Sequence, residues 1–431
     1  MTDKEKADPG GAATPTEGGL RHGRAAFAFI YVTVLLDMLA LGVIVPVLPK
    51  LIIRFEHGDM SMAAIQTGIF GFVWAAMQFL FAPVIGALSD RFGRRPVVLL
   101  SNFGLGCDYI LMAAAPTLSW LFLGRIISGI TSASYPTGAA YIADVTPEEH
   151  RAVKFGLLGS AFGLGFIIGP ALGGFLGSMG LRYPFWAAAG LSLANAAYGF
   201  FILPESLPRE RRAAFSLRRA NPLGSLKLLR SHPELFSLAS AMFLYYIAHE
   251  SLPSMFVLYT DYRYHWGERL TGLTLAGVGA CSTIVSAALI SLAIRKLGEL
   301  RTLFAGLLFG IVGFGLFALA PNTAIFLIGV PLISLWGLAG PSMQSLMSQR
   351  VGPSEQGQLQ GALTSLFGMA GMIGPLAFTE VFAFAIAPSR TLQLPGAPYW
   401  LASALLLGSL VIAWVITRPA ANAITTNNAA G

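Results

Sequence analysis

The sequence predicts an all-α membrane protein with twelve transmembrane helices in two six-helix halves. Three observations support this fold class: the composition, the spacing of the apolar runs and an internal repeat. Of the 431 residues, 55% are hydrophobic and only 11% are charged, whereas soluble domains carry about 25% charged residues. The mean hydropathy is +0.67, so lipid rather than water is expected to surround most of the chain.

Apolar runs long enough to cross a bilayer follow one another along the chain, since a spanning helix needs about 20 mostly apolar residues. The first half is predicted to contain spans at 26–49, 62–88, 97–115, 118–141, 153–179 and 183–203. The second half is predicted to contain spans at 235–259, 270–294, 302–320, 323–348, 359–386 and 397–417. The chain therefore divides into an N-terminal half, 26–203, and a C-terminal half, 235–417.

Polar segments flank and separate the two halves. Residues 1–25 are rich in Gly, Pro and charge and predict a disordered cytoplasmic tail. Residues 204–234 are predicted to be a basic cytoplasmic linker that lies on anionic lipid headgroups. Residues 418–431 predict a second cytoplasmic tail. Because such loops account for the net charge of +7, no nucleic-acid partner is expected.

The two halves share an internal repeat. Phe162-Gly163 and Ile168-Gly169-Pro170 recur 205 residues later as Phe367-Gly368 and Ile373-Gly374-Pro375, and Arg91-Phe92-Gly93 recurs at the same offset as Lys296-Leu297-Gly298. Duplicated halves that run parallel place a substrate site between them near the midplane, open alternately to either side. Since the two halves enclose a complete site, a functional monomer is expected.

Basic residues concentrate in the connections after the even-numbered spans, for example Arg91, Arg151 and Arg295. The alternate connections hold fewer, with Lys50 and Arg182 among the exceptions. Since basic loops stay in the cytoplasm, both termini are predicted to be cytoplasmic. The two cysteines lack metal-ligand spacing and the chain lacks a phosphate-binding loop motif, so no metal, cofactor or ATP-driven mechanism is expected.

The connection after the second span carries a motif of glycine, aspartate and arginine. Glycine permits a tight reversal, the arginines hold the loop in the cytoplasm, and the aspartate accepts charge-assisted hydrogen bonds from a neighbouring helix end or arginine. The alternative is a loop that only sets topology. We call the motif residues the conformational latch; they are Gly86, Asp90, Arg91, Gly93, Arg94 and Arg95.

The fifth span contains closely spaced glycines and one proline. Glycines four residues apart form a ridge without side chains that lets another helix approach closely, and the proline removes a backbone donor and permits bending. The alternative is a generic close-packed helix pair. These residues are Gly165, Gly169, Pro170, Gly173 and Gly174.

These motifs resemble signatures of the major facilitator superfamily, and the glycines of the fifth span resemble the signature of its drug/proton antiporters. Leu36-Asp37, Cys107-Asp108-Tyr109 and the segment around Arg125 are similar to the bacterial tetracycline/proton antiporters. The resemblance implies the major facilitator fold and proton-coupled export of small amphipathic drugs, tetracycline-like or multidrug, across the inner membrane by alternating access. The partners would be a small-molecule substrate, protons and membrane lipid.

Ionisable and polar residues within the spans are the candidates for the functional site. Desolvation disfavours the charged form of a carboxylate, so an intramembrane Asp or Glu is suited to proton exchange. The proton-coupling candidates are Asp37, Asp108, Arg125 and Glu250. The substrate-binding candidates are Asp37, Gln78, His249 and Gln344. A hydrogen-bonded structural role remains the alternative for each.

Other functions remain open at this point. A proton-linked carrier of a metabolite, such as a sugar or siderophore, would have the same fold. A membrane-embedded enzyme would need His, Asp or Ser groups clustered near one interface, and the sequence shows no such cluster, so no enzymatic activity is expected. A sensor that binds without transporting is the third alternative.

Overall fold

The computed structural model describes residues 17–132, 134–213, 224–231 and 233–417. The predicted tail 418–431 and parts of 1–25 and 204–234 lie outside these ranges. The first helix begins at Glu17, earlier than the predicted start at residue 26, so the end of the predicted tail is helical. The described part of the linker forms short helical turns at Arg209–Arg211, Gly224–Leu226 and Lys227–Ser231.

The N-terminal half consists of six spans, two of which are interrupted. A turn divides α1, and the chain breaks α4 near residue 133. The spans are α1 (Glu17–Ile44 and Leu48–Phe55), α2 (Met60–Phe92), α3 (Arg94–Ala114), α4 (Leu118–Thr131 and Ser134–Val145), α5 (Glu148–Met179) and α6 (Tyr183–Ile202).

The C-terminal half repeats this plan. A π-helical segment at Val285–Leu289 joins the two parts of α8, and a 3₁₀ segment at Leu335–Leu338 joins those of α10. The spans are α7 (Pro233–Tyr264), α8 (Glu268–Ile284 and Ile290–Leu297), α9 (Glu299–Leu319), α10 (Thr323–Ser334 and Ala339–Ser348), α11 (Gln356–Ala385) and α12 (Ala397–Thr417). Ten of the described helices are long and apolar enough to cross a membrane; α4 and α7 complete the twelve-span fold, which confirms the predicted fold class.

The internal repeat is visible in the backbone. Gly93 joins α2 to α3 with φ of 107°, and Gly298, 205 residues later, joins α8 to α9 with φ of 78°. Residues with side chains rarely adopt this conformation, so both turns depend on glycine. Within the halves α1 packs on α5, α3 on α6, α7 on α11 and α12, and α9 on α12.

The two halves meet along α2 with α11 and α5 with α8. Gly68 of α2 lies against Thr379 of α11, and Gly174 of α5 lies against Gly272 of α8. These contacts belong to the end of the bundle that contains Lys50, which we call the Lys50 end. At the opposite Arg94 end, a Cβ built on Gly86, Gly159 or Gly357 would have no neighbour within 4 Å. The halves are therefore in contact at the Lys50 end and apart at the Arg94 end.

Candidate functional site

Asp37 of α1 is buried inside the N-terminal half, with 4% of its surface exposed. The side-chain amide of Asn195 on α6 donates to Asp37 Oδ1 at 2.9 Å and to the carbonyl oxygen of Thr33 at 2.8 Å. The acceptors lie one turn apart on α1, so a single amide links this turn to α6. A buried carboxyl group needs such a partner.

Asp108 of α3 is 1% exposed and lies beside Arg125 and Ser128 of α4. Gly124 makes room for it, because a Cβ at that position would be 2.7 Å from Asp108 Oδ1. The guanidinium carbon of Arg125 is 5.3 Å from the ring centroid of Trp74 on α2, a cation–π distance. Arg125 thus stands between a carboxyl group and an indole.

The polar groups of the C-terminal half have a different setting. His249 lies midway along α7, yet 47% of its side chain is exposed. Its ring centroid is 5.8 Å from Trp336 on α10 and 6.4 Å from Phe367 on α11. Tyr246 packs edge-on against Phe367 at 5.3 Å. Gly368, next to Phe367, lies against Phe79 of the other half, so the imidazole opens toward the space between the halves.

Glu250 follows His249 and is largely buried against α11. Gly374 admits its Cβ, and His249 Nδ1 lies 3.9 Å from Glu250 Oε1. The sequence predicts that these neighbours, about 100° apart around a helix, cannot both face one partner. In the structure their side chains bend toward each other instead, because Glu250 has little space beside α11.

The two glutamine candidates are bound to other side chains. The amide of Gln78 on α2 lies 3.3 Å from the hydroxyl of Ser132, where α4 is interrupted. The amide of Gln344 on α10 donates to Gln360 Oε1 of α11 at 2.9 Å. Both link neighbouring helices of one half.

The candidates therefore form two groups. Asp37, Asp108 and Arg125 share the N-terminal half, where Tyr109 lies within electrostatic range of all three, and His249 and Glu250 share the C-terminal half. Sequence reasoning missed Asn195 as a partner of Asp37, although a polar amide in an apolar span is a detectable signal.

The conformational latch forms a network at the Arg94 end. Arg94 Nη1 contacts Asp90 Oδ1 at 2.6 Å, and Arg94 Nε contacts Asp144 Oδ2 at 3.1 Å. Asp90 thus accepts from an arginine, one of the two partners expected for it. The guanidinium of Arg95 donates to the carbonyl oxygen of Phe200 at 2.5 Å, and that of Arg91 lies 5.2 Å from the ring of Phe92.

Glu205 completes this network, and sequence reasoning missed it. Its Oε1 accepts from the backbone N–H of Arg94 at 2.8 Å, at the start of α3, where a helix favours negative charge. A Cβ on Gly93 would collide with the Glu205 carboxylate and lie 2.8 Å from Arg212 Nη2. Gly93 therefore provides both the turn and the room for Glu205.

The glycines of α5 pack on two neighbours. Cβ atoms at Gly165, Gly169 and Gly173 would collide with the backbone of α1, where Gly42 is the closest residue to Gly169. Gly174 faces α8 of the other half, and the carbonyl oxygen of Pro170 lies against Gly272 there. This helix therefore joins a tight intra-half contact to the boundary between the halves.

Known proteins with this arrangement are membrane transporters. The family described as Major Facilitator Superfamily matches residues 30–375. The chain belongs to this superfamily. It is 38% identical over 358 residues to the class C tetracycline resistance protein of Escherichia coli, a match that covers 83% of this chain and 90% of that protein. The class D tetracycline resistance protein of Salmonella ordonez is 35% identical over 398 residues, 91% of this chain and 98% of that protein.

Solved structures of the superfamily share this fold. The human organic anion transporter MFSD10 (TETRAN) superposes with a TM-score of 0.66 at 25% identity, covering 91% of this chain and 99% of that chain. The nucleoside transporter NupG superposes with a TM-score of 0.70 at 14% identity, covering 91% and 98%, which shows likeness of fold alone. The chain is thus a multi-pass membrane protein of the transporter superfamily.

Proposed function

We propose that this chain is a proton-coupled antiporter that exports small amphipathic drugs, tetracycline-like or multidrug, across the inner membrane by alternating access. The observation that carries the proposal is the 38% identity to a tetracycline resistance protein along 83% of the chain. The latch and the glycine-lined α5 lie within the matched superfamily region 30–375. Transport rather than enzymatic catalysis is the activity assigned.

The basic latch orients the molecule. Since basic loops remain in the cytoplasm, the Arg94 end and both termini are cytoplasmic. The state seen is therefore open toward the cytoplasm, where a drug enters before export. One chain contains both halves of the site, so the monomer is the functional unit.

The two polar groups have different roles in this proposal. Asp37, Asp108 and Arg125 carry the proton exchange, because two desolvated carboxyl groups beside a fixed cation have protonation states that depend on helix position. His249 contacts the drug from an aromatic surface, with Gln78 and Gln344 bordering the same space. Asp37 is also a candidate drug contact, and Glu250 couples protonation to His249. Each proton returning across 100 mV supplies about 2.3 kcal/mol.

The test is drug-driven proton release from energised everted membrane vesicles. Vesicles that contain the protein should lose part of their acid interior when tetracycline or another amphipathic drug is added. Vesicles without the protein are the control. If no drug perturbs the gradient while a sugar or siderophore does, drug export is wrong and the protein is a metabolite carrier.

A further inference from the structure

Lys50 is a buried lysine at the boundary between the two halves, with 8% of its side chain exposed. Its Nζ donates to the carbonyl oxygen of Trp266. It also contacts Asp261 Oδ1 at 2.9 Å and Glu268 Oε1 at 3.6 Å. An ammonium group has three donors, so these three oxygens match its full capacity.

Lys50 and its partners stand on different halves. Lys50 belongs to the second segment of α1, which follows a turn and begins at Leu48. Asp261 lies near the end of α7, and Glu268 is the first residue of α8. The boundary between the halves therefore passes through this ion cluster.

The connection from α7 to α8 is shaped to present these oxygens. His265 has φ of 54°, which reverses the backbone just before Trp266. The Trp266 N–H donates to the carbonyl oxygen of Thr260, and its indole N–H donates to Thr323 Oγ1 at 2.9 Å. Trp266 is thus anchored to the C-terminal half with its carbonyl oxygen directed at Lys50.

We propose that Lys50, Asp261 and Glu268 form a charge clamp that holds the molecule closed at the Lys50 end and releases when that end opens. The inference rests on the alternating access of the proposed function, and it adds the element that sets how often the outer end is closed. A buried ammonium is stable only with compensating charge, and closure supplies that charge from the other half. Opening replaces each partner with water.

The clamp differs from the glycine contacts beside it. Contacts such as Gly68 with Thr379 are van der Waals packing, which individually contributes little. Removing one charge from a buried cluster leaves the partner charges uncompensated, which is more costly than losing one contact. Clamp substitutions should therefore shift the closed population strongly while each half keeps its fold.

The test is thiol labelling of the purified protein, with Thr379→Cys as the reporter and both native cysteines replaced by serine. Thr379 is fully buried and lies against Gly68 of the other half, so a maleimide reaches it only when the halves separate. Lys50→Gln should raise the labelling rate about tenfold, and Asp261→Asn should act in the same direction. Exchanging the charges, Lys50→Asp with Asp261→Lys, should bring the rate back toward the starting value.

Two controls make the result decisive. Arg54→Gln removes an exposed cation from the same short helix and should leave the rate unchanged. Ser192→Cys, buried within the N-terminal half, reports unfolding and should stay unlabelled in every variant. Unchanged labelling of Thr379→Cys in the Lys50→Gln protein overturns the clamp, and so does faster labelling of Ser192→Cys. Because labelling needs no drug, the clamp can fail or succeed independently of drug export.

Discussion

The two halves descend from one repeated plan but hold their intramembrane polar groups differently. In the N-terminal half, Asp37 and Asp108 are almost completely buried, and each lies beside a polar partner. In the C-terminal half, the imidazole of His249 is about half exposed and is framed by aromatic rings. The difference suggests a division of labour, in which one half exchanges protons and the other contacts the drug.

The shared Gly-Pro element shows how the halves diverged. Gly169 of α5 faces the backbone of Gly42 on α1, whereas Gly374 of α11, at the equivalent position, faces Glu250 on α7. The same close approach of helices therefore serves two ends. It packs backbone against backbone in the first half and places a carboxylate beside His249 in the second.

The largest effect should come from removing the buried cation of the N-terminal half. Arg125→Met leaves Asp108 without its neighbouring charge, so the free energy of unfolding should fall by about 3–5 kcal/mol. Denaturation in mixed micelles measures this. Arg295→Met, which removes an exposed arginine of α8, is the control and should have little effect. Equal losses in the two variants would mean that the N-terminal charges are not locked as described.

A smaller effect is expected at the glycine ridge. A Cβ at Gly169 would be 2.7 Å from the Cα of Gly42, so Gly169→Ala should destabilise the protein by about 1–3 kcal/mol. Gly159→Ala on the same helix meets no atom within 4 Å and should be neutral or stabilising. Gly374→Ala should resemble Gly169→Ala if the repeat packs equivalently. A neutral Gly169→Ala would contradict the close contact of α1 with α5.

The smallest effect should appear in drug affinity at the aromatic surface of the C-terminal half. Aromatic contacts contribute about 0.5–1.5 kcal/mol each, so Phe367→Ala should raise the half-maximal tetracycline concentration roughly twofold to tenfold. Maximal transport should change less. Phe103→Ala, which truncates an exposed ring of α3, should leave the concentration dependence intact. An equal shift in both variants would remove the assignment of drug contact to this surface.

Much of the fold could be predicted from the sequence, because the span pattern depends on hydropathy alone. Glycine at residues 93 and 298 identified both latch-type turns. The interruption of α4 near residue 133 was not predictable, since the apolar run continues across it and tertiary packing decides where the helix breaks.

The site was less accessible to sequence reasoning, because side-chain partners come from distant segments. Lys50 and Arg182 appeared only as exceptions to the distribution of basic residues. In the structure Lys50 is paired across the halves, and Arg182 donates to the carbonyl oxygens of Ala113 and Ala115 at the end of α3. Both cations have structural partners at that end, which explains why they depart from the topological pattern.

The division of labour between the halves is tested most directly by drug-driven proton release measured over a range of tetracycline concentrations for Asp37→Asn and His249→Ala. We predict that Asp37→Asn abolishes release at every concentration. His249→Ala should retain release but require more drug. Glu380→Gln, an exposed carboxylate of α11, and His57→Ala, in the loop between α1 and α2, are the matched controls. Normal release from Asp37→Asn, or complete loss in His249→Ala at saturating drug, would contradict the division.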